Sequence, residues 1–427
     1  MTAGTQAEQG KIAVSSVSLR HVGALGAGNA LEFYDFLVYA FFATQIGRTF
    51  FPGSSDNESL MLVLATFAVG FLTRPLGGLV IGVMGDRSGR KPALLLSFGL
   101  MGLATAGLAL TPSYASIGAA GPALAILCRL LQGFALGGEV GPASAWLLEA
   151  APERHRALYV SLQFSTQWAG GLAASLVGLM LAHLLGPVGL QAWGWRIALL
   201  LGVAVVPAGL WLRYHLPETL ARQAGADELD EAPVQIPVAL CGMLLLSGLT
   251  VATYVLSYVS LFGGYAFDFS SDVTFGGALV CGLFGTLVNP LGGLLSDRLG
   301  RRRVLLGAMA ALLVAALPCF LAVASWKSPR VLYLGEALMT TLLALSTPAA
   351  LTLLMENLPA RVRSGGVGMI YALAIAIFGD TTQYMVTGLM EASDSTLVPA
   401  AYMMVALLVG LLGAALMQEP PPTASAG

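Results

Sequence analysis

Charge is what this sequence has least of. Only 10% of its 427 residues are Asp, Glu, Lys or Arg, against roughly 25% in an ordinary soluble protein. With 56% of the residues hydrophobic, so few charges cannot clothe a water-facing surface. Stretches of about 20 apolar residues, the length that crosses a bilayer as a helix, recur along the whole chain. They leave no room for a sizeable soluble domain. The formal net charge is −2, so no basic surface points to a nucleic-acid partner. Cysteine and histidine are equally scarce, four of each. Cys128, Cys241, Cys281 and Cys319 stand singly in apolar stretches, with neither the spacing of metal ligands nor that of a disulfide framework. The histidines fall near the ends of apolar runs, and no nucleophile–histidine constellation accompanies them. These absences argue against an enzyme: no catalytic residue, metal or cofactor is expected. The first 20 residues carry no short apolar core followed by a small-residue cleavage site, so they read as a cytoplasmic tail. Residues 418–427 read as a disordered tail.

What is present is a series of apolar runs separated by polar breaks. They predict helices near 23–49, 60–82, 92–111, 122–147, 157–184 and 195–214, then near 237–262, 273–295, 303–324, 330–355, 364–390 and 398–417. The break at 217–236 is acidic and proline-bearing (Asp227, Glu228, Asp230, Glu231, Pro233). It reads as a cytoplasmic linker between a six-helix half at 21–216 and a second at 237–417. Positive charge is lopsided between alternate breaks. One set holds Arg87, Arg90, Lys91, Arg154, Arg156, Arg213, Arg222, Arg298, Arg301, Arg302, Arg303, Arg361 and Arg363; the other holds Arg48, Lys327 and Arg330. Because Lys and Arg accumulate on the cytoplasmic side, both termini are expected inside.

The halves repeat each other. Gly82-Val83-Met84-Gly85-Asp86-Arg87-Ser88-Gly89-Arg90-Lys91 follows the second expected helix, and Gly293-Leu294-Leu295-Ser296-Asp297-Arg298-Leu299-Gly300-Arg301-Arg302 follows the eighth. Further on, the E-x-x-P-x-R-x-R pattern from Glu149 to Arg156 recurs from Glu356 to Arg363. Two patterns repeating in the same order signal an internal duplication, the usual build of secondary transporters.

The D-R-x-G-R turns resemble the signature of the major facilitator superfamily. Gly28-Asn29-Ala30-Leu31-Glu32-Phe33-Tyr34-Asp35-Phe36, Arg74-Pro75-Leu76-Gly77-Gly78, the run from Arg129 to Glu139 and Trp193-Gly194-Trp195-Arg196-Ile197 narrow the match to its metabolite:proton symporters. The resemblance covers nearly the whole chain and is less specific in the second half. It implies an all-α membrane protein with twelve helices in two pseudo-symmetric six-helix bundles, in a bacterial inner membrane. It also implies proton-coupled uptake by alternating access, by a single chain. Such carriers take citrate and tricarballylate, 2-oxoglutarate, shikimate, or proline and betaine. A small organic acid is favoured, with a proline- or betaine-like osmolyte as the alternative and an exporter behind both. The coupling ion is expected to be H⁺, with Na⁺ left open.

Several residues fit such a site. Asn29, Glu32, Asp35 and Tyr39 fall on one face of the first helix. A charge at mid-membrane costs about 2.5–3.5 kcal/mol even on insertion scales, so two carboxylates one turn apart need a cavity, a cation or a proton. Glu32 and Asp35 are therefore proton-coupling candidates, the alternative being a structural ion pair. Arg129, Gln132 and Glu139 share a stripe of the fourth helix, and Arg74 opens a segment of the second. A guanidinium binds a carboxylate in bidentate fashion, so Arg129 and Arg74 are candidates for an anionic solute; alternatively each neutralises Glu32, Asp35 or Glu139. An offset of 207 residues, set by the E-x-x-P-x-R-x-R repeat, lands Arg129 on Glu336. Those two could face each other across a cavity, or Glu336 could lie with Arg330 at the outer interface. Gln163, Gln167, Tyr254, Tyr258 and Gln383 suit hydrogen bonds to a polar solute, or packing alone. Glu139, Glu336 and Asp380 complete the proton-coupling candidates. In the D-R-x-G-R turns, Asp86 and Asp297 can cap helix N-termini. Arg90 and Arg301 can pair with Glu149 and Glu356, and with Arg87 and Arg298 these residues would form cytoplasmic gates.

Overall fold

The structure, a computed structural model, describes residues 19–52, 62, 66, 69, 70, 72–219, 236–267, 269 and 271–419. The expected tails and most of the expected linker lie outside the described residues, as do the side chains of Tyr258 and Asp380. The described chain is helical, in twelve successive lines labelled here α1 to α12. In the first half these are α1 Leu19–Phe41, α2 Arg74–Arg87, α3 Arg90–Leu110, α4 Ala120–Ala150, α5 Arg156–Gly189 and α6 Trp195–Tyr214. In the second half they are α7 Ile236–Phe267, α8 Ser271–Leu299, α9 Arg301–Trp326, α10 Pro329–Glu356, α11 Arg363–Ala374 and α12 Val398–Leu416.

Departures from regular helix fall where the chemistry changes. α1 breaks at Phe42 and continues as Ala43–Phe50. α5 leaves helical geometry at Gly186, with φ of 62°, close to the predicted end of that run. α11 widens into a π-helical turn at Ile375–Gly379 and resumes as Asp380–Ser393. Such wide turns recur at functional sites, and this one directly precedes position 380. Gly89 and Gly300 precede α3 and α9 with φ of 113° and 97°. That is backbone a side chain disfavours, which accounts for the glycine in both D-R-x-G-R turns.

Nine stretches among the described residues are long and apolar enough to cross a membrane, and one of them, Glu153–Tyr214, takes in both α5 and α6. Side chains such as Leu72, Leu103, Leu184, Val188, Val314 and Leu334 stand outward and exposed, the surface a hydrocarbon environment requires.

Contacts divide the chain into two units, 1–150 with 166–223, and 151–165 with 224–427. Each has the same internal wiring. In the first, α4 packs on α3 and α2, and α6 packs on α3 and α1. In the second, α10 packs on α9 and α8, and α12 packs on α9 and α7. Shifting every partner by six reproduces the pattern, so the duplication read in the motifs is also a duplication of helix packing. The apolar core of the first unit gathers Ile46, Phe50, Leu108 and Trp195, with Phe50 and Trp195 edge to face at 5.6 Å.

Arg213, counted with the cytoplasmic charges, stands in the last turn of α6. It is fully buried in the first unit and ion-paired. Two carboxylates, Glu139 and Glu32, lie beside it.

Candidate functional site

The interior of the first unit is polar. α1 supplies Asn29, Glu32, Asp35 and Tyr39, all buried, as one face of a helix dictates. Asn29 Nδ2 donates to Thr166 Oγ1 at 2.7 Å. Glu32 stands 3.5 Å from Arg213 Nη1, and neither of its oxygens has a hydrogen-bond partner among the described residues. Arg213 is held by Glu139, with Nη2 donating to Oε1 at 2.6 Å and Nη1 to Oε2 at 2.8 Å. Ser97 Oγ donates to the same Oε2 at 2.9 Å, and Arg213 Nη1 also donates to Leu94 O at 3.0 Å. Two glycines make this approach possible. A Cβ on Gly28 would sit 2.5 Å from Arg213 Nε, and one on Gly202 would sit 1.7 Å from Asp35 Oδ1. The charged groups lie directly on backbone.

Further along α1 lies a second cluster. Arg74 and Arg129, buried on α2 and α4, each place the guanidinium carbon 5.2 Å from the centre of the Phe36 ring. Arg129 also stacks on Tyr39 at 4.2 Å and donates from Nη1 to Gln132 Oε1 at 2.7 Å. Gln132 Nε2 donates to Thr105 Oγ1 at 2.9 Å. Aromatic faces stabilise cations through the ring quadrupole, so the rings help hold these guanidinium planes in place.

Both D-R-x-G-R turns form forked ion pairs. In the first unit, Arg90 meets Glu149 through Nη2–Oε1 at 2.7 Å and Nε–Oε2 at 3.2 Å, and Asp86 at 2.5 Å. Glu218, read above as the start of the linker, instead accepts from the backbone N–H groups of Arg90 and Lys91 at 2.8 and 3.2 Å. It therefore caps α3. In the second unit, Arg301 meets Glu356 through Nε–Oε2 at 3.2 Å and Nη2–Oε1 at 3.3 Å, and Asp297 at 3.2 Å. Asp297 accepts from the backbone N–H groups of Ala157 and Leu158 at 3.0 and 2.9 Å, capping the first turn of α5. Arg87 and Arg298 are exposed.

The remaining candidates are less concentrated. Gln163 is buried in the second unit, and Gln167 is half-buried in the first. Tyr254 is half-buried on α7, its ring against Gly379 beside Thr250. Glu336 is buried on α10, in electrostatic reach of Cys281, to which Thr340 donates at 3.4 Å. Gln383 is exposed on the continuation of α11. No group of His, Cys, Asp and Glu among the described residues could hold a metal ion.

Residues 25–379 match the description of the Major Facilitator Superfamily. The chain belongs to the major facilitator superfamily. The citrate-proton symporter of Klebsiella pneumoniae is 34% identical over 393 residues, spanning 90% of this chain and 88% of that protein. The alpha-ketoglutarate permease of Escherichia coli K12 is 34% identical over 412 residues, 91% of this chain and 92% of the other. The proline/betaine transporter of the same organism is 32% identical over 418 residues, 93% and 83%. Among solved structures, the proton:xylose symporter XylE superposes with a TM-score of 0.77 at 18% identity, covering 94% of this chain and 95% of that one. The major facilitator transporter FucP gives 0.70 at 14%, covering 93% and 99%.

This facilitator is thus a multi-pass membrane transporter of small solutes, not an enzyme, with the twelve-helix fold of its superfamily. Within that fold, reading the sequence missed Arg213, Ser97, Thr105 and Glu218. Arg213 carried the clearest signal, a cation inside the apolar run that ends at Tyr214. The others are polar groups that only tertiary packing brings to a charge.

Proposed function

We propose that the chain is a proton-coupled symporter taking a small organic acid, a di- or tricarboxylate such as citrate, into a bacterial cell by alternating access. It works as a monomer in the inner membrane with both termini cytoplasmic, needs no cofactor and binds no nucleic acid. H⁺ is the driving ion in preference to Na⁺. The observation that supports an anionic solute is the meeting of Arg74 and Arg129 at the Phe36 ring. A solute carboxylate beside this pair of buried cations is attracted to both and can form charge-assisted hydrogen bonds. Tyr39 and Gln132 line the same region, and Asn29, Gln163, Gln167, Tyr254, Tyr258 and Gln383 are further candidate polar contacts. Glu32, Asp35, Glu139, Glu336 and Asp380 are the carboxylates available for coupling. The forked Arg90–Glu149 and Arg301–Glu356 pairs, with Asp86 and Asp297, are the interactions that alternation would break and remake. The citrate-proton symporter, 34% identical over most of both chains, supports the acid reading.

The 32% identity to the proline/betaine transporter favours a zwitterion as the second reading, because a betaine also presents a carboxylate to an arginine. Uptake into proteoliposomes separates the two. Citrate, 2-oxoglutarate, shikimate, proline and betaine are offered singly, with and without an inward proton gradient. Gradient-dependent uptake of an acid is the expected result. Uptake of betaine or proline alone would select the osmolyte reading. No gradient dependence for any of them, from folded protein, would reject proton symport of these solutes.

A further inference from the structure

We propose that the first unit carries a binding site for the phosphate of an anionic phospholipid headgroup, with Arg48 and Arg196 as its cations, in the cavity at the end of the unit opposite the Arg90–Glu149 pair.

The place follows from the helix ends. α3 starts at Arg90 and α6 finishes at Tyr214, whose ring Lys91 covers at 4.8 Å. Leu110 and Trp195 therefore mark the other end of the unit. There the continuation of α1, Ala43–Phe50, meets the connection that follows α3 and the π-helical turn Leu190–Gly194 that leads into α6. Between them lies a cavity of about 690 Å³, the size of a small-molecule site. Two hydrogen bonds tie its walls together. Gln191 Nε2 donates to Gln45 O at 3.0 Å, and Arg196 Nη2 donates to Thr111 O at 3.0 Å.

The charge of the cavity is one-sided. Arg48 and Arg196 line it, and no carboxylate does among the described residues. Arg196 is half-buried and lies 4.0 Å from the centre of the Trp195 ring. Its hydrogen bond goes to a neutral carbonyl, and no acidic side chain among the described residues pairs with it. A partly desolvated cation without a counter-ion favours an anion beside it, and a guanidinium fork matches two phosphate oxygens. Ser113, Tyr114 and Ser116 add hydroxyl groups to the same lining.

The rim identifies the bearer of the phosphate. Leu110 and Trp193 both line the cavity, yet they are 70% and 66% exposed, and Tyr114 is exposed as well. Leu103, about two turns earlier on the same face of α3, continues the exposed apolar stripe. Tryptophan and tyrosine collect at headgroup depth. A free anion gains nothing from an apolar rim. A phospholipid lays an acyl chain along Leu110 and Leu103 while its phosphate reaches the arginines, and the positive cavity selects a net-negative headgroup over a zwitterionic one.

The test uses the full chain, purified in detergent. Native mass spectrometry counts the lipid retained during titration with phosphatidylglycerol or with phosphatidylcholine of the same acyl chains. Wild type is expected to retain phosphatidylglycerol in preference. Arg48→Gln and Arg196→Lys, the latter removing the fork and keeping the charge, are each expected to weaken that retention about tenfold. Arg303→Gln, which removes an exposed cation of the second unit, is expected to leave it unchanged. A second readout needs no arginine variant. In mixed vesicles, phosphatidylglycerol brominated in its acyl chains should quench the fluorescence component that Trp193→Phe removes, at a lower mole fraction than brominated phosphatidylcholine does. Equal retention of the two lipids by wild type, equal quenching by them, or a loss in Arg303→Gln as large as in Arg48→Gln would reduce the effect to non-specific contact and overturn the site. Displacement of bound phosphatidylglycerol by an equal concentration of glycerol 3-phosphate would overturn the lipid assignment in favour of a soluble anion. None of these readouts depends on which solute is carried.

Discussion

Arg129 shows how much a single side chain must do in a dry interior. Its guanidinium is stacked on Tyr39 and Phe36 and hydrogen-bonded to Gln132, which fixes its plane. A lysine in its place keeps the charge and loses the fork. For a solute carboxylate bound to that fork, one charge-assisted hydrogen bond is worth about 1.5–3 kcal/mol, or roughly tenfold to a hundredfold in affinity. Arg129→Lys should therefore raise KM for uptake by that factor with little change in the amount of folded protein. An unchanged KM would make Arg129 a structural cation held by its rings. The candidacy of Arg129, Glu32 and Asp35 was visible in the sequence because a charge stands out in an apolar helix. The pairing was not. Sequence spacing offered Arg74 and Arg129 as the neutralising partners of Glu32 and Glu139, but the structure brings Arg213 from more than seventy residues away. Periodicity along one helix fixes a face; it does not say which other helix that face meets.

Among the elements, the helix spans were the most legible feature. A run of about 20 apolar residues has few other ways to satisfy its backbone, and the observed helices lie close to the predicted ones, except that most of the expected second helix before Arg74 lies outside the described residues. α4, expected at 122–147, is Ala120–Ala150, and α12, expected at 398–417, is Val398–Leu416. The internal irregularities were not legible, since the π-helical turn before Asp380 has no composition of its own. Nor was the cap on α3. Glu218 was assigned to a linker on account of the acidic residues that follow it, yet both its oxygens accept backbone N–H groups at the start of α3. A carboxylate at a helix N-terminus satisfies orphan donors and complements the helix dipole. Glu218→Ala should cost about 1 kcal/mol of stability, seen as a lower thermal midpoint in detergent. Solute affinity should be preserved, because the cap touches neither Arg129 nor Glu32. A mutant of unchanged midpoint would show that water replaces the cap without loss.

At the scale of the whole transporter, the number of protons and the charge of the solute are tied to the membrane potential. Moving one charge through 100 mV is worth about 2.3 kcal/mol, which is roughly fortyfold in accumulation. A dianion entering with one proton carries one negative charge inward, so an inside-negative potential opposes it. A zwitterion entering with one proton carries one positive charge, so the same potential drives it. A monoanion with one proton is indifferent. Holding the pH gradient constant and imposing an inside-negative potassium diffusion potential therefore reads the class of solute and the stoichiometry together. For a dicarboxylate dianion carried with one proton, accumulation should fall by about that fortyfold factor per 100 mV. Accumulation that instead rises for a dicarboxylate would require at least three protons per dianion. Several carriers would then be needed, for which Glu32, Asp35, Glu139, Glu336 and Asp380 are the candidate carboxylates.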